Sequence, residues 1–224
     1  LLADRWKDIT GNANLLFDYE GPEGSILSTE DEAIRAAWQR HYNSASPDAP
    51  LVQCLVTGQR APAARLHPSI KGVPGAQSSG AALVSFNAPA FCSYGHEQGE
   101  NAPVSEYAAF AYTTALNTLL ADRDHCCILG DTAVVCWAEN ASPSYSSLGM
   151  MAMFGIPETH GLTEDDLSKA LDSLAKGQPC SWMGEDLQPG QHFYVLGLSP
   201  NAARISVRFF LRDTFQVFAQ RLQP

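Results

Sequence analysis

A mixed α+β fold, with helices packed on a largely antiparallel sheet, follows from three stretches of this 224-residue chain. Between Ala203 and Arg212 the residues alternate: Ile205, Val207, Phe209 and Leu211 point one way, and Arg204, Ser206, Arg208, Phe210 and Arg212 the other. That is the period-two signature of a strand, and it puts three arginines on one sheet face. Cys126–Leu129 and Thr132–Ala138 are apolar runs joined by Gly130-Asp131, a hairpin signal. Pro103 to Leu120 is apolar around a wide arc and carries a single charge, Glu106, so it reads as a mostly buried helix. The order of strands and helices is too irregular for a regular parallel sheet.

The remaining elements follow in chain order. Asn14–Tyr19 reads as a strand ending at Gly21-Pro22. Thr29, followed by Glu30, Asp31 and Glu32, opens a helix, because a hydroxyl caps the first free amides and acids suit the positive helix end. Ala33, Ile34, Ala37, Trp38 and Tyr42 give that helix an apolar stripe. Residues 43–50 read as a linker, Leu51–Val56 as a strand closed by Thr57-Gly58, and Leu83–Phe86 as a short strand. Asn140–Gly149 is Ser-rich and reads as a loop, with Met150–Phe154 as an apolar turn or loop. Thr163 before Glu164, Asp165 and Asp166 caps a helix that stops at Gly177. His192–Leu198 is a strand, and Asp213–Leu222 a terminal helix.

With 45% apolar residues the chain can bury a substantial core, and residues 1–224 are expected to form one α+β region. The opening Leu1-Leu-Ala-Asp-Arg-Trp6 has neither an initiator Met nor the basic start of a signal peptide, and is expected to be interior to a longer chain. No apolar run is long enough to span a bilayer. The six cysteines lack the spacing of a disulfide scaffold, which points to a reducing, cytoplasmic setting. Net charge is −10, but it is sorted along the chain. Residues 49–96 and 187–212 hold no Asp or Glu and together carry +6, leaving −16 for the remainder. Acid-free basic windows suit local anion sites, while the acidic parts face solvent or a basic partner. The plainer account is that these windows hold buried strands, which exclude acids anyway.

The most informative run begins at Lys71 and continues as Gly-Val-Pro-Gly-Ala-Gln-Ser-Ser-Gly80, a polar loop without an acid, before an apolar stretch that reaches Asn87. Glycines at 72, 75 and 80 would let the backbone approach a ligand, Gln77, Ser78 and Ser79 offer neutral donors and acceptors, and Lys71 suits a phosphate. An ordinary surface loop with turn glycines has the same composition. Arg204 and Arg208 suit a phosphate backbone, and Asn201 in the preceding turn could meet a base or a phosphate. Catalytic and metal sets are thin. Cys92 with His96, or a loop serine with some histidine, lacks any nucleophile-elbow motif. Cys92-x-x-x-His96 is at most half a zinc site.

Four runs carry a resemblance: Leu66–Gly80, Leu83–Phe91, Asn101–Tyr112 and Leu198–Arg204, with Ile34–Trp38 and Gly130–Val135 fitting beside them. Together they resemble the large subunit of the type I-C CRISPR Cascade surveillance complex. Members of that family are considerably longer, so the resemblance implies a middle portion, with the start docking near the crRNA 5′ handle and the end forming a helical bundle. It implies a non-enzymatic DNA-recognition subunit that needs no cofactor. Such a subunit reads the PAM of double-stranded DNA, helps open the duplex and presents the complex to a nuclease-helicase. Its other partners are the crRNA-containing subunits, and no membrane is involved. In such systems the guide RNA reads sequence and protein reads only the PAM. The expected contacts are Gln77, Ser78, Ser79 and Asn87 near base edges, with Lys71, Arg204 and Arg208 on the backbone and Asn201 beside them. Two other readings stay open: a stand-alone α/β enzyme using Cys92 or a loop serine, and a purely structural scaffold.

Overall fold

The computed structural model describes residues 16–21, 24–43, 51–155 and 161–223. Its centre is a four-stranded antiparallel sheet made by β5 (Cys126–Leu129), β6 (Thr132–Ala138), β9 (His192–Asn201) and β10 (Arg204–Thr214), in the spatial order β10-β9-β6-β5. Three two-stranded hairpins surround it: β1 (Asp18–Gly21) with β2 (Gly24–Leu27), β3 (Leu51–Gln53) with β4 (Arg60–Pro62), and β7 (Cys180–Trp182) with β8 (Glu185–Leu187). The helices are α1 (Glu32–Asn43), α2 (Glu106–Ala121), α3 (Pro143–Phe154), α4 (Glu164–Ala175) and α5 (Phe215–Leu222). The α+β expectation holds.

Alternate residues of β6 and β9 feed two cores, as a strand's two faces require. Val134, Cys136, Ala138, Phe193 and Val195 face the first core with Tyr145 and Leu148 of α3, Leu174 of α4 and Phe215 of α5. Ala133, Val135 and Leu198 face the second with Leu116 and Leu120 of α2 and with Ile70, Val73 and Ala81. Cys54, Ala64, Val104, Ala108 and Ala109 form a smaller third core at the start of α2.

Several ends match their sequence signals. Gly130 turns the β5–β6 hairpin at φ 63°. Thr163 and Asp166 form a reciprocal capping box on α4. The terminal helix expected from Asp213 begins at Phe215, where the Thr214 hydroxyl caps it by accepting from Val217 N–H at 3.4 Å.

Other expectations are corrected. β1 starts at Asp18, and residues 14–15 lie outside the described residues, as do 44–50 of the expected linker. The cap of α1 is Asp31, which accepts from Ile34 N–H at 2.8 Å, and not Thr29. Ile34 and Trp38 of its stripe are exposed. α2 buries only one side, leaving Tyr107 and Phe110 exposed. β3 stops at Gln53, where Cys54 turns to accept Gly58 N–H at its carbonyl. Leu83–Phe86 is not a strand: Ile70–Ala81 and Ala82–Arg204 form single bridges, and the chain then leaves the sheet.

The Ser-rich stretch expected as a loop at 140–149 is largely helix. α3 starts at Pro143, a residue suited to the first helical turn. Its small residues permit close approach to the sheet. Ser146 is buried, with its hydroxyl 3.5 Å from the Cys136 carbonyl. A Cβ added at Gly149 would lie 2.5 Å from Cζ of Phe193, a ring only 2% exposed. Gly149→Ala should therefore destabilise the protein by about 1–3 kcal/mol, overpacking outweighing the gain in helix propensity. Urea unfolding measures this, and an unchanged or raised midpoint would show that the ring yields.

Candidate nucleic-acid interface

The loop from Lys71 to Gly80 is tied shut at its neck. Ile70 and Ala81 exchange two backbone hydrogen bonds of 2.9 Å, and both residues are buried. Asn117 of α2 brackets the entry: its Oδ1 accepts Lys71 N–H at 2.7 Å, and its Nδ2 donates to the Ser69 carbonyl at 3.1 Å. Just before the neck, His67 Nδ1 lies 2.7 Å from the Tyr112 hydroxyl. Burial holds that imidazole below its ordinary pKa and pushes the phenol up to about 12.

All three glycines take a positive φ, and Gly75 and Gly80 lie close against packed neighbours. Gly80, at φ 96°, has space for a Cβ only 2.8 Å from the Ile70 carbonyl oxygen. Gly72, at φ 87°, lies against Leu120 of α2. A Cβ on Gly75 would come 3.3 Å from Cγ of Pro200, so the loop rests on the β9–β10 hairpin. Gln77, Ser78 and Ser79 form the exposed tip, where Gln77 C=O accepts Gly80 N–H at 2.8 Å. Lys71 is exposed at the neck.

Asn87 and Arg204, far apart in sequence, meet here. Arg204 donates from Nη2 to Asn87 Oδ1 at 2.8 Å, and its guanidinium carbon lies 4.1 Å from the centroid of the Phe91 ring. Arg204 is thus engaged in holding the 87–91 segment to the sheet edge, by a charge-assisted bond and a cation–π contact. Asn87 stays exposed, with its amide donors available. Asn201 is exposed at the hairpin tip, before Ala202 at φ 53°. Loop tip, Asn87, Asn201 and Arg204 therefore cluster about one end of the sheet.

The arginines do not share a face. The β9–β10 register shifts between Val207 and Phe209, so a bulge at Arg208 inverts the alternation beyond it. Arg204 pairs with Asn201 and Arg212 with Tyr194, which puts them on opposite faces. Gly197 supplies a local reason: the Phe209 ring packs over it, and a Cβ there would meet the ring at 2.5 Å. Arg208 reaches Asp131 of the β5–β6 turn at 3.7 Å, with both side chains more than half exposed. An exposed pair of this kind is weak, so Arg208 remains available to an anion.

Asp131, Phe91 and Asn117 were not expected at this site. Asn117 had a signal, an amide in the middle of an otherwise apolar helix. The pairing of Phe91 with Arg204 had none, because it depends on where the loop crosses the sheet edge.

The nucleophile candidates are partnered elsewhere. Cys92 Sγ donates to the Ala88 carbonyl at 3.7 Å, and His96 Nδ1 lies 3.8 Å from Glu100. Both residues line a cleft of about 420 Å³ with Asn87, Gly95 and Glu97. Among the described residues no hydrogen bond joins Cys92 to His96, no three His, Cys, Asp or Glu side chains are grouped to hold a metal ion, and no helix is long and apolar enough to cross a membrane. All six cysteines are free.

The chain matches the family described as CRISPR-associated protein (Cas_Csd1) over residues 1–224, and it belongs to that family. No curated protein matches it.

Asn117→Ala should loosen the loop without unfolding the sheet. It removes the acceptor of Lys71 N–H and the donor to Ser69, at about 0.5–1.5 kcal/mol per bond. Hydrogen exchange should speed up at the Lys71 amide and stay unchanged at Val135. Equal protection of Lys71 in both proteins would remove Asn117 as the anchor.

Proposed function

We propose that this chain is the PAM-reading, DNA-recognition portion of the large subunit of a type I-C Cascade complex. It acts without catalysis, beside crRNA-containing subunits and a nuclease-helicase. The observation that carries this reading is the acid-free loop itself. It has a fixed neck, an exposed tip of Gln77, Ser78 and Ser79, and a seat on the hairpin beside Asn201 and Asn87. Membership of a CRISPR-associated family supplies the context. A loop pinned in this way presents amide and hydroxyl groups in fixed positions, so little ordering entropy is lost on entering a groove. Gln and Asn side chains can read adenine bidentately, and a serine hydroxyl can pair with several base edges.

Charges divide the work. Lys71 and Arg208 meet phosphates and contribute the same to every sequence. Arg204 acts through Asn87, fixing that segment so that Asn87 faces the groove. Asp131 lies beside Arg208 and would be repelled by an approaching phosphate; its pairing with Arg208 limits that cost.

The test is an electrophoretic shift assay on the assembled complex with a randomised PAM. Gln77→Ala should cost about 1–3 kcal/mol and relax preference at one position. Arg208→Ala should weaken all sequences alike and reduce the slope of affinity against salt by about one. An unaltered PAM profile for Gln77→Ala, with assembly intact, would remove the loop from PAM reading.

A further inference from the structure

Asn87 and Arg204 hold each other in one polarity. A guanidinium has N–H donors and no acceptor, so an amide bonded to it must turn its oxygen inward. Arg204 Nη2 donates to Asn87 Oδ1 at 2.8 Å, which leaves the Nδ2 hydrogens pointing away from the arginine. Among the described residues Nδ2 has no partner, and Asn87 is exposed.

Arg204 is itself gripped at both ends. Ala82 flanks its backbone with two bonds: Ala82 N–H donates to the Ala203 carbonyl at 3.3 Å, and Ile205 N–H donates to the Ala82 carbonyl at 3.0 Å. Its guanidinium carbon lies 4.1 Å from the Phe91 centroid. Residues 82–91, the segment that carries Asn87, therefore fix the arginine that fixes Asn87. Glu97 is the carboxylate that shares a cleft with Asn87, and it accepts the Glu100 N–H within its own capping box. Gln77 and Asn201 differ. Among the described residues their side chains make no hydrogen bond, so their amides can turn either way.

We propose that Arg204 makes Asn87 a donor-only base reader: it accepts a base edge that presents an acceptor and refuses one that presents an exocyclic amino group. Arg204 is the positioning residue. This role rests on the PAM-reading function above and narrows what Asn87 can read there. A free asparagine pairs with adenine through both its atoms, Nδ2 donating to N7 and Oδ1 accepting from N6. Here the guanidinium sits at the oxygen, and adenine N6 would meet another donor. In the major groove the refused groups are adenine N6 and cytosine N4, and the accepted ones include guanine O6 and thymine O4. In the minor groove the refused group is guanine N2, and adenine N3 and thymine O2 are accepted. Both grooves share one chemistry, an acceptor facing Nδ2 with no amino group beside it.

The test uses the assembled complex and duplexes randomised at the PAM. The position that Asn87 reads is the one whose preference Asn87→Ala alters. There the wild type should bind duplexes that present an amino group about tenfold more weakly. Asn87→Asp keeps the bond to Arg204 but replaces the donors with an acceptor, so it should reverse the preference toward amino-bearing edges. The readout is the ratio between sequences, because an added negative charge weakens all of them alike. Arg204→Leu frees the amide to turn and should abolish the discrimination. Arg204→Lys still donates to Oδ1 and should retain it. Inosine in place of guanine removes only the minor-groove amino group. Wild-type binding that improves with inosine places Asn87 in the minor groove, and binding that does not change places it in the major groove.

An Asn87→Asp profile identical to the wild type would overturn the proposal. So would full discrimination in Arg204→Leu, which would show that the arginine does not set the polarity. Loss of discrimination in Arg204→Lys as complete as in Arg204→Leu would overturn it too. If Gln77→Ala altered the PAM profile while Asn87→Asp did not, the donor-only reader would fall and the PAM reading would stand. If neither altered it, both would fall.

Discussion

The pairing of β6 with β9 is the constraint on which the other elements depend. Its register joins Ala133 to Leu198 and Ala138 to Phe193, and the residues of β6 between these pairs alternate from one core to the other. A slip of one residue would send Phe193 and Val195 toward α2, and Leu196 and Leu198 toward α3 and α5. Both cores would then lose their shape complementarity at once. The close fit of Gly149 on the Phe193 ring and the seat of Ile70 and Ala81 beneath α2 each assume this one register. The loop that faces outward is therefore positioned by a pairing buried well below it.

How much of this was legible depended on whether the signal was local. The Thr132–Ala138 strand, its hairpin partner and the capping of α4 are set by neighbours in sequence, and they read correctly. α3 was obscured because Ser146 and Gly149 are small in order to approach a sheet that a sequence window does not contain. The β7–β8 hairpin went unseen because its turn uses Met183 at φ 51°, a residue type that gives no turn signal, before Gly184. The β10 alternation was visible but its interruption was not, since the bulge answers to Gly197 on the neighbouring strand.

The candidate site divides in the same way. Composition alone marked the 71–80 loop, Asn87 and Arg204. It could not show that Gly75 lies against Pro200 and Gly80 against the Ile70 carbonyl. Nor could it show that the Arg204 guanidinium is already occupied by Asn87 and Phe91. Counting arginines in a window overstates the charge offered to a partner, because some of it holds the fold together.

The closed neck of the loop has an evolutionary consequence. Everything that fixes it, the Ile70–Ala81 bridge and the two bonds of Asn117, lies outside the three residues of its tip. Substitutions at Gln77, Ser78 and Ser79 leave those contacts in place, so the tip can diversify while the scaffold stays constant. The three tip positions are adjacent in the chain, and replacing them does not require the interior to be redesigned.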